Sequence, residues 1–528
     1  MKTLTDKTRR PACFLQAWGS FCCLIFMIVC PVAMSSANPI DFSLDSEDNA
    51  AASAADTNSD DSTERNKIVL IKSQENMSDD WNNATFWSTG ETPYSAKDSV
   101  FIVPGGMRVR SRNNMSIQTF GKENANNSLY IGYDADGKTI STENGILHLK
   151  AAVQKDDTIT VNDLVIGNGE VFQGTANAHV TLNGNVTING NAVFRLKAEA
   201  TTSTEKRSFI VNSTISGGGN LTFLIEDDKD THLSLMSTSS ESNPFTGNVT
   251  IAPNTGVTLS GTDAFCHASS FTNNGKLYLA ADQTLNNLSG TGTIDVGEYQ
   301  LTLYNDKLSQ ITGGMDGDGS IYKTGDGTLQ IITAAGGAVR AESFVISSGR
   351  LDMEGYFEGT LKVVNDTIEI EEAATFSPGV GIGALDIDGD LSLADGAVLL
   401  MEIGGTAFDM NDQLILNGQI TFEPGAIVQF ALAADSDYTP EDGDRIAVNM
   451  PKVDWTTATF ASDVFTLSDY DDLAGLQYIT PITDPTPKHA PSTKGETTGA
   501  TAVPEPSTWA LLILGVAGLL CLKKLRKN

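Results

Sequence analysis

Residues 179–196 read HVTLNGNVTINGNAVFRL. Val180, Leu182, Val186, Ile188, Ala192, Phe194 and Leu196 all fall on even positions, and Gly184 and Gly190 share that parity. Apolar residues recurring with period two mark half-buried strands, because successive side chains of a strand point to opposite faces. Each glycine follows an asparagine at a bend, and Asn-Gly supplies the positive-φ residues that corners and turns need. Taken alone, Asn-Gly favours hairpins. Here the parity runs unbroken through both bends, so one inward face continues around the corners.

The same device recurs along the chain. In ALDIDGDLSLADGAVLLMEI (384–403) the inward set lies on odd positions: Leu385, Ile387, Leu391, Leu393, Ala397, Leu399, Met401 and Ile403. Similar units include FIVNSTISGGGNLTFLI, GNVTIAPNTGVTLSG, DGTLQIITAAGG and DQLILNGQITFEPGAIVQFAL. No stretch between about Lys67 and Leu432 sustains a 3.6-residue pattern, so the body is expected to be all-β. Units of about twenty residues suit a solenoid in which each turn buries its apolar face on the next. The expected architecture is a right-handed parallel β-helix over 67–480, with a sandwich-like start or end as a variant. Residues 433–480 carry further strand-like patches, DRIAVNM and WTTATF, that would close it.

Three passages carry a resemblance. GDGSIYKTGDGTLQI (Gly317–Ile331), followed by SFVISSGRLDMEG, resembles the passenger-associated β-strand repeat of bacterial autotransporters. FSPGVGIGALDIDGDLSLADGAVLLMEIGG and DQLILNGQITFEPGA resemble the segment that often follows it, which places an autotransporter-like repeat at about 317–432. WNNATFWSTGETPYSAKDSVFI (Trp81–Ile102) resembles the opening of many such passengers. The resemblance implies a β-helix and says little about ligand. It departs from the family at one point: no C-terminal stretch reads as a twelve-stranded outer-membrane barrel.

The ends of the chain read as addresses. Four basic residues precede FCCLIFMIVCPVAM (Phe21–Met34), and Ser35 and Ala37 give the small-x-small pattern for cleavage after Ala37. Residues 1–37 are thus expected to be a signal peptide handled by the Sec translocon; the bulk of Val29 disfavours a lipidated Cys30. Residues 38–66 are acidic and rich in Ser, Ala and Asp, which predicts a disordered leader. Residues 481–502, rich in Pro, Thr and Ser, predict an extended linker. Trp509–Leu522 is an uncharged run, short for a span of about 20 residues. Trp509 on one side and Lys523, Lys524, Arg526 and Lys527 on the other serve as interface anchors, with the basic end cytoplasmic.

The simple reading of that tail is a membrane anchor. The arrangement Val503–Pro504–Glu505–Pro506, an apolar segment and a basic cluster resembles the PEP-CTERM sorting signal. The resemblance implies an exosortase as partner, a transient inner-membrane stage, and delivery to the surface or exterior of a Gram-negative bacterium that makes exopolysaccharide. Prolines suit the task because they keep a scissile stretch extended.

Lys and Arg total 34 against 66 Asp and Glu. Setting aside the eight basic residues at the two ends, with Asp6, leaves 26 against 65, about −39 for the body. Such a surface repels nucleic acid and anionic lipid. Cys266 is the one cysteine away from the terminal apolar segments, so no internal disulfide or thiolate metal cage is available to the body.

No catalytic signature stands out: there is no G-x-S-x-G, H-E-x-x-H, P-loop or dinucleotide fingerprint. The five histidines, His148, His179, His232, His267 and His489, have no ligand spacing. Carboxylates are the plentiful reactive groups. GRLDMEG puts Arg350, Asp352 and Glu354 on alternating positions of one strand, as a β-helix lyase or glycosidase groove would need, though an outward polar face is the simpler account. GYDADGKTISTE sets Asp134, Asp136 and Glu143 at offsets of a calcium loop without its flanking helices. An ordinary acidic turn is the competing reading, and weakly bound Ca²⁺ the cofactor to test. MDGDGS (Asp316, Asp318) and DIDGD (Asp386, Asp388, Asp390) fit less well. Trp81, Trp87 and Tyr94 are either sugar-binding aromatics or core. The expected role is a non-enzymatic structural or adhesin-like surface or matrix protein, with exopolysaccharide or a host glycan as ligand class. The rivals are a matrix-glycan lyase or glycosidase and a permanently membrane-tethered receptor.

Overall fold

The computed structural model describes residues 65–482, apart from 77, 113–116, 123–124, 152–155, 176–177, 198–206, 227–233, 239, 334–335 and 365–372. The described chain is all-β. Its helical content among these residues is two 3₁₀ turns, Ala84–Phe86 and Phe408–Met410, and none of its helices is long and apolar enough to cross a membrane. The expected signal peptide with Ala37, the expected leader up to residue 64, the expected linker from residue 483, the sorting motif Val503–Pro506 and the apolar tail with Trp509 and Lys523–Lys527 lie outside the described residues.

The stretch at 179–196 behaves as its parity requires. Val180, Leu182, Ile188, Phe194 and Leu196 are fully buried, and Val186 and Ala192 nearly so. Strand His179–Ile188 lies in the larger sheet, between Asp156–Ile166 and Arg207–Ser216. Strand Asn191–Lys197 lies in a separate seven-stranded sheet, between Gly169–Gln173 and Asn220–Glu226. Asn189–Gly190 is therefore a corner between sheets, and the hairpin alternative is excluded. Asn183–Gly184 is different. It sits inside one continuous strand, facing the β-bulge at Val161–Asp163, and Gly184 takes φ +116° there. A Cβ on Gly184 would lie 1.9 Å from the carbonyl of Val161.

Every pairing in the seven-stranded sheet is parallel, from Arg108–Arg110 through Asn191–Lys197 and Asn220–Glu226 to Ser270–Asn273. In the larger sheet the described pairings are also parallel except at the C-terminal end. There Leu476–Pro481 pairs antiparallel with both Ile446–Asn449 and Phe465–Asp471. Partners lie one repeat apart in sequence: Leu277 beside Ile294, Leu301 beside Ile321, Leu385 beside Leu414. The expected period of about twenty residues holds in the middle, whereas the flanks run nearer thirty.

In-register parallel pairing puts like on like. Phe194 lies beside Phe223, their rings 5.9 Å apart, and Phe265 continues the stack. At the corner, Asn220 donates to the side chain of Asn191 and Asn248 to that of Asn220, both at 2.9 Å, forming an amide ladder. One residue earlier the stacked positions are glycines. A Cβ on Gly219 would sit 2.2 Å from Gly190 O, and one on Gly247 1.7 Å from Gly219 O. Gly389 and Gly418 meet the carbonyls of Gly359 and Gly389 at 1.9 Å in the same way.

Lys323, from the YKTGDGTL motif, points inward and is fully buried. Its ammonium donates to the carbonyls of Thr324, Gly325 and Ser348 at 3.0, 2.6 and 3.1 Å, and burial lowers its pKa to about 8. A corner carbonyl that cannot reach a neighbouring strand is costly to bury unpaired. This lysine serves those of Gly325 and Ser348, and adds a second donor to Thr324 O, which also accepts from Asn305 N–H at 3.0 Å.

The ends are closed differently. The segment before the first stacked strands crosses them: Gln74 N–H donates to Arg108 O and Trp81 N–H to Arg110 O. Trp81 and Trp87 are buried, packed edge-on against Phe120 and Phe101. They are core, which corrects the sugar-binding alternative for these two; Tyr94 alone of the three is exposed. Arg65 donates to Ser128 Oγ at 2.8 Å, and a strand runs from Asn66. The last strand takes in Pro481.

Gly219→Ala should destabilise the protein by about 3 kcal/mol, the scale of an overpacked core, because a methyl there meets backbone rather than a yielding side chain. Urea unfolding against Gly218→Ala, whose added methyl meets only the Thr246 hydroxyl at 3.5 Å, checks it; equal midpoints would refute the stacked-corner account.

Candidate functional site

Sequence reasoning named Arg350, Asp352 and Glu354, and the structure brings them into a larger buried cluster. Strand Arg350–Val363 pairs with Thr375–Ser377, which pairs with Val398–Ile403. All six residues of Val398–Ile403 are buried, so this strand is covered on its outer face as well. The cover includes the turn after Ser377, where Ile382 packs against Gly404 and leaves no room for a Cβ there.

Beneath this cover, Arg350 bonds both Asp352 and, at 2.9 Å, Glu402. Asp412 is fully buried and accepts from the backbone N–H of Glu402 at 2.7 Å, that of Gly383 at 3.0 Å and the hydroxyl of Ser377 at 3.3 Å. Its neighbour Asn411 accepts from the N–H groups of Gly404 and Gly405 and donates to the carbonyls of Ala407 and Ala447. Burial raises the Asp352 carboxyl despite Arg350, and raises Asp412 to about 7 despite its three donors. The partners of Asn411 and Asp412 are mostly backbone groups, drawn from the turns at Gly383 and Gly404–Ala407 and from the strands that hold Glu402 and Ala447, which is the work of a clasp. Glu354 stands apart from Arg350, near Gly383. Neither Glu402 nor Asp412 was legible as a site residue; the signal available was Val398 and Leu400, apolar on the parity that should face water.

The acids of MDGDGS and DIDGD fall on the larger sheet's outer face. Asp295 pairs with Asp316, and Glu358 with both Arg340 and Asp388. Arg340 bonds Glu358 at 2.9 Å and reaches Asp316 at 3.5 Å. The row lines an open groove of about 710 Å³, with Gly297, Gly317, Ala341 and Gly359 among its lining and Asp318 and Glu342 at its sides.

Asp134, Asp136 and Glu143 are exposed on a tight turn. Asp136 is occupied locally: its carboxylate accepts from the N–H groups of Lys138 and Thr139 and the hydroxyl of Thr139, which hold it at about 2. Glu143 lies over the Gly105–Gly106 turn. Among the described residues no group of three or more His, Cys, Asp and Glu side chains is assembled as metal ligands. Cys266 Sγ lies 3.2 Å from His267 Nδ1. His148 is buried against Phe172, and burial, with Lys150 and Arg110, lowers it to about 3.

Asp412 has a pH signature. Between its unfolded value near 3.8 and its folded value near 7, the native state holds a proton that the unfolded chain has released. Its contribution to stability is therefore full below pH 3.8 and falls as pH rises to 7. Asp412→Asn should remove that slope, so the variant gains on the wild type steadily from pH 4 to 7 in denaturant titrations. Parallel profiles would show that Asp412 does not titrate in this window.

Comparison with known proteins bears on the tail. No curated protein and no solved structure matches the chain. Residues 502–527 match the family described as the PEP-CTERM protein-sorting motif, so the chain is a PEP-CTERM motif-containing protein, marked for exosortase-dependent sorting to the cell surface or extracellular space.

Proposed function

We propose that this chain is a non-enzymatic structural or adhesin-like protein of the cell surface or extracellular matrix, whose body is a right-handed parallel β-helix. The observation that carries the reading is the joining of an exosortase sorting motif to an all-β body of in-register parallel strands. Parallel partners recurring one repeat apart, with consecutive strands such as His179–Ile188 and Asn191–Lys197 in different sheets, support the helical course. A long stack of this kind presents a large, stiff outer face, which suits a scaffold or adhesive role with exopolysaccharide or a host glycan as contact. Buried carboxylates committed to backbone donors favour structure over catalysis.

The glycan lyase or glycosidase reading keeps one observation in its favour, the acid-lined groove around Asp316 and Arg340. Release of reducing ends or unsaturated uronates from a matrix glycan by the purified protein would establish it. A tethered receptor is the third reading, in which the tail is never cut.

Mass spectrometry of the protein from native cells, after separation of inner membrane, surface and medium, tests the route. Loss of the segment following about Pro506, with the body at the surface or in the medium, is the expected result. Replacing Pro504 and Pro506 by alanine should leave the full chain in the inner membrane. An intact tail there in the wild type would mean a plain anchor.

A further inference from the structure

A second cavity, about 470 Å³, opens near the N-terminal end of the stack and is lined by Asn82, Tyr94, Arg112, Ile117 and Lys122 among others. Its chemistry is unlike the rest of the body. The surrounding protein carries about −39, yet among the described residues no carboxylate lines this cavity and two cations do. Lys122 is exposed and has no ion pair among the described residues; its ammonium stands 5.1 Å from the centre of the Tyr94 ring. Arg112 is held only loosely, 3.9 Å from Asp80, with 42% of its side chain exposed. Tyr94 is 54% exposed and Ile117 74%. The side-chain oxygen of Asn82, in the wall, is buried without a hydrogen-bond partner.

The floor beneath these groups is fixed. Gln118 is buried with its amide spent on the backbone of Arg112 and Lys150, and Asn127 ties the Tyr94 turn down through Pro93 O and Ala96 O. The exposed ring and cations thus project from a braced frame, which lowers the entropy lost on binding.

We propose that this cleft binds an acidic saccharide, a uronate-bearing stretch of polysaccharide. The Tyr94 ring and Ile117 offer apolar surface to the C–H face of a sugar ring. Lys122 and Arg112 reach its carboxylate as charge-assisted donors, and Asn82 Oδ1 is an acceptor open to a ring hydroxyl on modest movement of the wall. A carboxylate alone would need the cations but not the ring. A neutral sugar would need the ring but not the cations. The proposal rests on the surface-polysaccharide reading above and names the ligand class and the residues.

The test uses the exported protein purified from its cells, titrated calorimetrically with oligogalacturonate, with the same oligomer after reduction of its carboxyls, and with poly-glutamate. Oligogalacturonate should bind and weaken as salt rises, while the other two should not. Tyr94→Ala and Lys122→Gln should each weaken binding about tenfold without moving the melting temperature, since both side chains are exposed. Poly-glutamate binding that survives Tyr94→Ala would make this a general anion patch and overturn the proposal. Uronate binding untouched by either variant would move the site elsewhere while leaving the polysaccharide reading intact. No uronate binding by a protein correctly placed at the surface would sink the cleft alone, whereas a protein retained in the inner membrane would sink the parent reading.

Discussion

Everything in this body depends on the spacing of about 4.8 Å between hydrogen-bonded strands. In a parallel, in-register stack each residue's nearest neighbour outside its own strand is its equivalent one repeat away. A residue type is therefore chosen for compatibility with itself. Phenylalanine on phenylalanine and asparagine on asparagine satisfy that condition, as Phe194 with Phe223 and Asn191 with Asn220 illustrate. At corners the backbones turn into one another, and what must be self-compatible there is the absence of a side chain. The glycines at 190, 219 and 247 are a column of such absences, each leaving room for the carbonyl of the one before. The asparagine that follows each of the last two then joins the amide ladder.

Several polar groups enter the interior where that geometry leaves carbonyls or N–H groups without partners. Lys323 takes an inward position two residues after Ile321, where its four-carbon stem packs as an apolar chain and its ammonium reaches three corner carbonyls. Asn411 and Asp412 do the complementary work, gathering the N–H groups of Gly383, Gly404 and Gly405 from turns and that of Glu402 from its strand. A single arginine serves Asp352 and Glu402, and Asp412 keeps its proton to about pH 7 chiefly because it is buried, with Glu402 adding to the effect. Replacing such groups with apolar ones of the same shape need not destabilise a protein, whereas removing one partner does, so these clusters fix the course of the turns more than they deepen the energy well.

Parity made the inward face legible. All eight apolar residues on odd positions from Leu385 to Ile403 are fully buried, as are most of the apolar ones on even positions from Val180 to Leu196. The corner at Gly190 and the all-β class followed from the same pattern. What parity cannot encode is contact from outside the strand. Val398 and Leu400 are covered by chain that arrives from other turns, and the burial of Glu402 and Asp412 follows from that cover. The bend at Asn183–Gly184 was misread as a corner because a bulge in the neighbouring strand, at Val161–Asp163, needs a glycine opposite it just as a corner does. Trp81 and Trp87 were ambiguous because an exposed platform and an end cap use the same residues; only the position of Phe101 and Phe120 decides between them. The sorting motif was legible for the opposite reason, since an address is read as sequence and needs no fold.

The distribution of charge joins the two halves of the chain's business. An export route favours a body that stays soluble and does not adhere to anionic membrane, and an excess of carboxylates achieves both at once. That same excess makes contact with any acidic polymer unfavourable over most of the surface. Arg195 is tied by Glu170 and Glu226, Arg340 by Glu358, Arg350 by Asp352 and Glu402. A cation left without a carboxylate on such a body is therefore conspicuous, because the composition supplies nearly two acids for each base. Among the described residues Lys122 is one, and it stands beside the exposed Tyr94. On a uniformly acidic face, adhesion to an acidic matrix would have to be local, confined to the few places where charge inverts. The region beside Tyr94 meets that condition at the N-terminal end, far in sequence from the C-terminal sorting motif, where a contact made by the body would survive removal of the tail.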